Sequence, residues 1–275
     1  MKRAAALLLG LVMILAASCT NRPTPTESGT ERPSETQTET PAQTLEETST
    51  EGSAAPVTES ASETETAPAQ PSSEAEVRVG DQLVKGKVAD IVKFTEKDVA
   101  ALRQLFRNSV IVGDSRVEAI VGYGILGEDV CISKYAGYAG DSKEICEQAA
   151  GLYPEKVLFF FGINDPKYYY DDYDRFIADY KADIDAYKAI NPYSDICVCN
   201  LIQVTEKRQS EVEAFKLVPE YNRRLEALCS AEGYVFIDGM KYLKDAYYLP
   251  DGSHFNEEFY CYLIQQFALE MGLWD

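Results

Sequence analysis

The sequence predicts a three-layer α/β/α sandwich around a five-stranded parallel sheet, occupying residues 77 to 275. Three observations predict it. Five short apolar runs are nearly continuous in hydrophobicity, as strands buried on both faces are. Longer segments with helical spacing separate them, and alternation of this kind implies βαβ crossovers and a parallel sheet. The stretch of 199 residues is a comfortable length for one core.

Taken in order, the helical segment EKDVAALRQLF (96–106) precedes the first strand, SVIVG near residue 109. GDSRVE (113–118) then turns into a second helix, and DVCIS near 129 supplies the next strand. KVLFFFG near 156 is the third, followed by the helical DDYDRFIADYKADIDAYKAI (171–190). DICVCNLI near 195 is the fourth strand, AFKLVPEYNRRLEALCSAEG (214–233) the helix after it, and YVFID near 234 the fifth strand. A last helix starts near Asn256, behind the Pro/Gly turn LPDGSH. In such sheets ligands bind outside the carboxyl ends of the strands.

Upstream of residue 77 the chain reads differently. Lys2 and Arg3 precede the uncharged run AAALLLGLVMILAA (4–17), the layout of a secretory signal over residues 1–19. Fourteen residues are short for a bilayer-spanning helix, so an uncleaved anchor is the lesser alternative. The segment ends LAASC, and Cys19 after small residues resembles the lipobox of bacterial lipoproteins; Ala16 stands where that pattern has leucine, with Leu15 one position earlier. The resemblance implies lipidation of Cys19 and a protein held at the outer face of the cell, with cleavage and release as the alternative. Residues 20–76 are rich in Thr, Ser, Glu and Pro and lack aromatics, so they are expected to be a disordered tether.

Charge narrows the partners. Of the formal −19, the tether carries −10, from twelve glutamates against Arg22 and Arg32; with Lys2 and Arg3 set aside, −11 remains on the folded part. That balance excludes nucleic acid and direct docking on anionic lipid. It fits a soluble domain, expected to be a monomer that meets the membrane only through its N-terminus. Cys131, Cys146, Cys197, Cys199, Cys229 and Cys261 lack paired metal-ligand spacing and read as small core residues.

The polar residues at the strand ends suggest chemistry. Ser115 lies at a strand-to-helix turn, where a helix N-terminus offers N–H groups to a developing oxyanion; a capping box with Glu118 is the structural alternative. Asn164, after the third strand, offers an amide donor, though Asn-Asp-Pro is also turn chemistry. Gly137 and Gly140, after the second strand, allow close backbone approach. His254 is the only histidine in the chain, and Asp251 three residues before it is placed to fix its tautomer.

On these residues the sequence resembles the SGNH hydrolases, the GDSL-type esterases and lipases. IVGDSR carries the nucleophile block, YAGDS the second, GINDP the third and DGSH the fourth, with Arg116 where the family's short name has leucine and without the second block's common asparagine. The resemblance implies a flavodoxin-like SGNH hydrolase fold, Ser115, His254 and Asp251 as catalytic residues, and an oxyanion hole from Ser115, Gly140 and Asn164, with Gly137 the rival to Gly140. It implies no metal and no cofactor. Tyr168 and Tyr248, within YYYDDYDRF and DAYYLP, are expected to form a platform for a sugar ring, or else to pack the loops. The expected activity is hydrolysis of short acyl esters, acetyl above all, on an acylated small molecule or an acetylated glycan outside the cell. An O-acetyltransferase using the same acyl-enzyme and a non-catalytic glycan-binding lipoprotein are the alternatives.

Overall fold

The structure, a computed structural model, describes residues 76–274; the expected secretory segment, Cys19 and all but the last residue of the tether lie outside the described residues. Five strands form one sheet: β1 (Ser109–Gly113), β2 (Cys131–Ser133), β3 (Lys156–Phe160), β4 (Asp195–Cys199) and β5 (Val235–Ile237). Their order is β2-β1-β3-β4-β5, and every neighbouring pair is parallel. This is the flavodoxin-like doubly wound order, in which the winding reverses between β1 and β3 and leaves a crevice outside their carboxyl ends.

Among the described residues eight helices surround the sheet: α1 (Glu96–Leu105), α2 (Ser115–Gly122), α3 (Lys143–Gly151), α4 (Asp165–Tyr169), α5 (Tyr173–Ile190), α6 (Glu206–Glu211), α7 (Val218–Glu232) and α8 (Glu257–Glu270). The period-2 alternation of the strands explains how they divide. Ile111, Leu158, Phe160, Cys197 and Cys199 point to one face, where they pack with Leu102 of α1, Val117 and Ile120 of α2, and α8. Val110, Val112, Val157, Phe159 and Val198 point to the other, against Cys146 of α3, Phe176 and Tyr180 of α5, and Leu225 of α7. Both faces are therefore covered, which is why the strands read as unbroken apolar runs rather than alternating ones.

Two helix boundaries differ from the sequence reading. Pro219 sits in the first turn of α7, where its missing N–H costs nothing, so the α-helix starts at Val218 and Glu213–Leu217 winds as a separate 3₁₀ turn. The Asn-Asp-Pro segment, read as a turn, opens the short helix α4, with Asn164 at its N-cap and the Asn164 side chain making no cap bond. The six cysteines of the folded part are free and buried, as core residues should be; burial pushes the thiols of Cys131, Cys229 and Cys261 up to about 12.

Gly113, the last residue of β1, brings the carboxyl ends of β1 and β3 together. A Cβ there would lie 2.1 Å from the Phe160 carbonyl oxygen and 2.6 Å from Val117 Cγ2. The first obstacle is backbone and cannot turn aside. Gly113→Ala is accordingly expected to lower the unfolding free energy by about 1–3 kcal/mol, the usual range for overpacking. Urea denaturation measures it, and an unchanged midpoint would show that this close approach is not a constraint.

Candidate active site

A cleft of about 450 Å³ opens where the doubly wound order places it, and Ser115, Asn164, Asp251 and His254 all line it. Ser115 reaches it because Asp114, rather than Ser115, caps α2. The Asp114 carboxylate accepts the Arg116 N–H at 2.9 Å, and Ser115 becomes the first helical residue. A residue there has no acceptor for its own N–H within the helix. The capping box with Glu118 is thus overturned, which leaves the Ser115 hydroxyl for other work.

That hydroxyl lies 3.0 Å from His254 Nε2, and His254 Nδ1 lies 2.6 Å from Asp251 Oδ2. With Nδ1–H donated to the carboxylate, Nε2 presents its lone pair to the serine. The other Asp251 oxygen accepts the backbone N–H groups of Ser253 (2.9 Å) and His254 (3.0 Å). Partial burial pushes the Asp251 carboxyl up, but the hydrogen bonds from His254 and Ser253 outweigh it and hold the group at about 2. Asp251 is thus an anion through the whole working range and suited to support a charged imidazole.

Asn164 is fixed at both ends of its amide. Its Oδ1 accepts from Lys167 Nζ at 3.1 Å, and its Nδ2 donates to the Gly137 carbonyl at 3.0 Å. An amide nitrogen carries two hydrogens, so one remains for the cleft. The structure corrects the glycine expected beside it. Gly140 does not line the cleft: its N–H donates to Asp183 Oδ2 at 2.9 Å, and its φ of +81° packs the backbone where a Cβ would meet Asp179 Oδ2 at 2.9 Å. The glycine is there for the contact with α5. Gly137 spends its N–H on the Lys134 carbonyl at 3.0 Å and serves by orienting Asn164. The members of this loop that face the cleft are Tyr135 and Ala136, the latter held at a φ of +55°.

The two tyrosines expected as a sugar platform are also elsewhere. Tyr168 stacks on Tyr138 with centroids 3.9 Å apart and accepts from Arg175 outside the cleft. Tyr248 packs on Phe255 and donates to the Gln203 carbonyl at 2.9 Å. Both therefore pack loops, the alternative the sequence left open.

Sequence reasoning missed two residues that build the site and one cluster that shapes it. Asp114 is fully buried, and besides its cap bond it accepts the N–H groups of Gly162 (3.0 Å) and Ile163 (3.2 Å). Arg116 is 1% exposed, and its guanidinium donates to the Ile202 (2.8 Å) and Ser253 (2.9 Å) carbonyls while lying over the Phe255 ring. Arg116 thus ties the start of α2 to the loop that carries Asp251 and His254. The cluster is Lys167, Lys207 and Arg208 on the cleft wall. Its signal was available, since TEKR (205–208) follows the carboxyl end of β4.

No family model and no curated protein matches the chain. Among solved structures it is similar to a GDSL-like lipase from Bacteroides thetaiotaomicron, at 15% identity and a TM-score of 0.46 over 60% of this chain and 86% of that one. It is also similar to an acetylxylan esterase from Geobacillus stearothermophilus (16%, 0.46, 60% and 93%) and to a carbohydrate esterase family 3 protein from Talaromyces cellulolyticus (18%, 0.46, 58% and 93%). Identity this low assigns no activity.

Asp165, directly after Asn164, gives the site a pH signature. It is fully buried, with Oδ1 accepting the Ala139 N–H at 2.9 Å and Oδ2 lacking a partner. Burial pushes its carboxyl up to about 7, with nearby Asp114 and Asp183 adding to the effect against the Ala139 bond. An acid whose folded value is raised contributes its full stability below the unfolded value and loses it as pH rises through the folded one. The native state therefore keeps a proton that the unfolded chain gives up between about pH 4 and pH 7. Asp165→Asn keeps the acceptor for Ala139 without the charge. Its stability relative to the parent is expected to rise across that window by on the order of 1 kcal/mol per pH unit and then level off. Urea denaturation at a series of pH values measures the difference, and a pH-independent difference would refute the buried, titrating carboxyl.

Proposed function

We propose that the protein is a serine esterase of the SGNH type, hydrolysing short acyl esters through an acyl-enzyme. The observation that carries the proposal is the continuous chain from Ser115 Oγ through His254 to Asp251, at 3.0 and 2.6 Å. A lone surface histidine has no need of a carboxylate fixing one nitrogen and a serine hydroxyl on the other.

In the first half-reaction Ser115 Oγ attacks the ester carbonyl carbon while its proton passes to His254 Nε2. Asp251 balances the imidazolium charge without taking the proton. The carbonyl oxygen, now an anion, is met by the Ser115 N–H at the start of α2 and by the free Asn164 N–H. Collapse breaks the bond to the leaving alcohol, which takes the proton from Nε2. Water then repeats the sequence on the acyl-serine and releases the acid.

Exposure favours water as acceptor over a sugar hydroxyl. The side chains of His254 and Asp251 are 34% and 51% exposed, so the acyl-enzyme stands open to solvent. A transferase needs the site closed against water. The substrate we infer is an acetylated carbohydrate, consistent with the secretory layout of residues 1–19 and a lipid at Cys19 that would keep the enzyme outside the cell.

With p-nitrophenyl acetate the protein is expected to turn over, with kcat falling at least about 10³-fold in Ser115→Ala and in His254→Ala. Asn164→Ala is expected to lose about 10²–10³-fold in kcat, the usual effect of removing one oxyanion donor. Circular dichroism of each variant confirms that it is folded. Full activity in folded Ser115→Ala would end the proposal.

A further inference from the structure

The folded part is acidic, yet one wall of the cleft is not. Lys167, Lys207 and Arg208 line it, with Glu211 and Asp251 as the carboxylates. Asp251 is committed to the imidazole and two backbone N–H groups. Glu211 is shared, lying 3.0 Å from Arg208 Nη1 and 3.9 Å from Lys207 Nζ. Lys167 donates to the neutral Asn164 oxygen at 3.1 Å and lies over the Phe215 ring, and among the described residues it makes no salt bridge. Its ammonium is pushed below its ordinary value, first by partial burial and then by the facing charge of Arg208. The Arg208 Nε is buried without a partner among the described residues.

These cations also stand close to the reacting atoms. Lys167 touches the oxyanion donor itself. Arg208 lies against the triad loop: the Thr205 N–H donates to the Gly252 carbonyl at 2.9 Å, and a Cβ on Gly252 would meet Arg208 Cβ at 3.3 Å. Three cations gathered on one wall, with only one carboxylate to share, form a receptor for an anion.

We propose that the substrate carries a negative charge beside the scissile ester, a carboxylate on the sugar that bears the acyl group, and that Lys207 and Arg208, with Lys167, bind it. This deepens the esterase reading and rests on it. A guanidinium can pair with a carboxylate through two parallel hydrogen bonds, which fixes the sugar's orientation as well as attracting it.

The test is a matched pair, mono-O-acetylated methyl glucuronoside and methyl glucoside, which differ by one carboxylate. The parent is expected to prefer the uronoside in kcat/KM by about 10-fold or more at low ionic strength, with the preference shrinking as salt is added. In Lys207→Gln/Arg208→Gln the ratio is expected to fall toward one, whereas Lys143→Gln on α3, which does not line the cleft, keeps the parent's ratio. Calorimetry with Ser115→Ala measures binding of the same pair without turnover. Equal kcat/KM for the two esters in the parent, or an unchanged ratio in the double variant, would overturn the proposal. Should the parent turn over neither these esters nor p-nitrophenyl acetate, the esterase reading fails; a preference for the uronoside in calorimetry would still uphold the anion site, and equal binding would overturn it as well.

Discussion

The site depends on two buried ionisable residues, Asp114 and Arg116, on either side of Ser115. Asp114 accepts three backbone N–H groups, one from its own helix start and two from the loop after β3. It therefore fixes Ser115 relative to Asn164. Arg116 reaches the other way, to the carbonyls of Ile202 and Ser253, and so fixes Ser115 relative to His254. Burial pushes the Asp114 carboxyl up while the charge of Arg116 and the three donors oppose the rise. Truncating either side chain would leave buried backbone groups without their partners, the Gly162 and Ile163 N–H groups in one case and the Ile202 and Ser253 carbonyls in the other, each at about 1–3 kcal/mol.

From that pair the rest follows by layers. The parallel sheet brings the carboxyl ends of β1 and β3 together at the winding reversal, and Gly113 allows the closest approach. The loop after β2 is held by two acidic side chains: Asp165 takes the Ala139 N–H and Asp183 the Gly140 N–H. Held there, Gly137 offers its carbonyl to Asn164, and the amide is aimed without using its second hydrogen. The Ser115 N–H and the Asn164 amide are thus positioned by backbone that is itself fixed, which is what preorganisation of the proposed oxyanion donors requires.

Much of this was legible in the sequence, for identifiable reasons. β1, β3 and β4 are buried on both faces along nearly their whole length, so each wrote an apolar run with few rivals, whereas at the sheet edge only Ile237 of β5 is buried. Ser115, Asn164, Asp251 and His254 sit in short segments whose spacing is local, and all four meet in the cleft. Gly140 was not legible: a glycine permits close approach, but only the path of α5 shows that Asp179 and Asp183 are what approaches it. Tyr168 and Tyr248 were not legible for the same reason, since only the path of the folded chain shows that their rings pack on Tyr138 and Phe255. The capping signal at Ser115 misled because Asp114, one residue earlier, is an equally good cap and is free to be one.

Activation of Ser115 as a nucleophile by His254 is the step on which the proposed chemistry stands. The most direct measurement is intact and peptide mass spectrometry after reaction with a serine-directed fluorophosphonate. A single adduct on Ser115, lost in His254→Ala, is the predicted result. A folded protein that stays unlabelled, or carries the label on another residue, would contradict it.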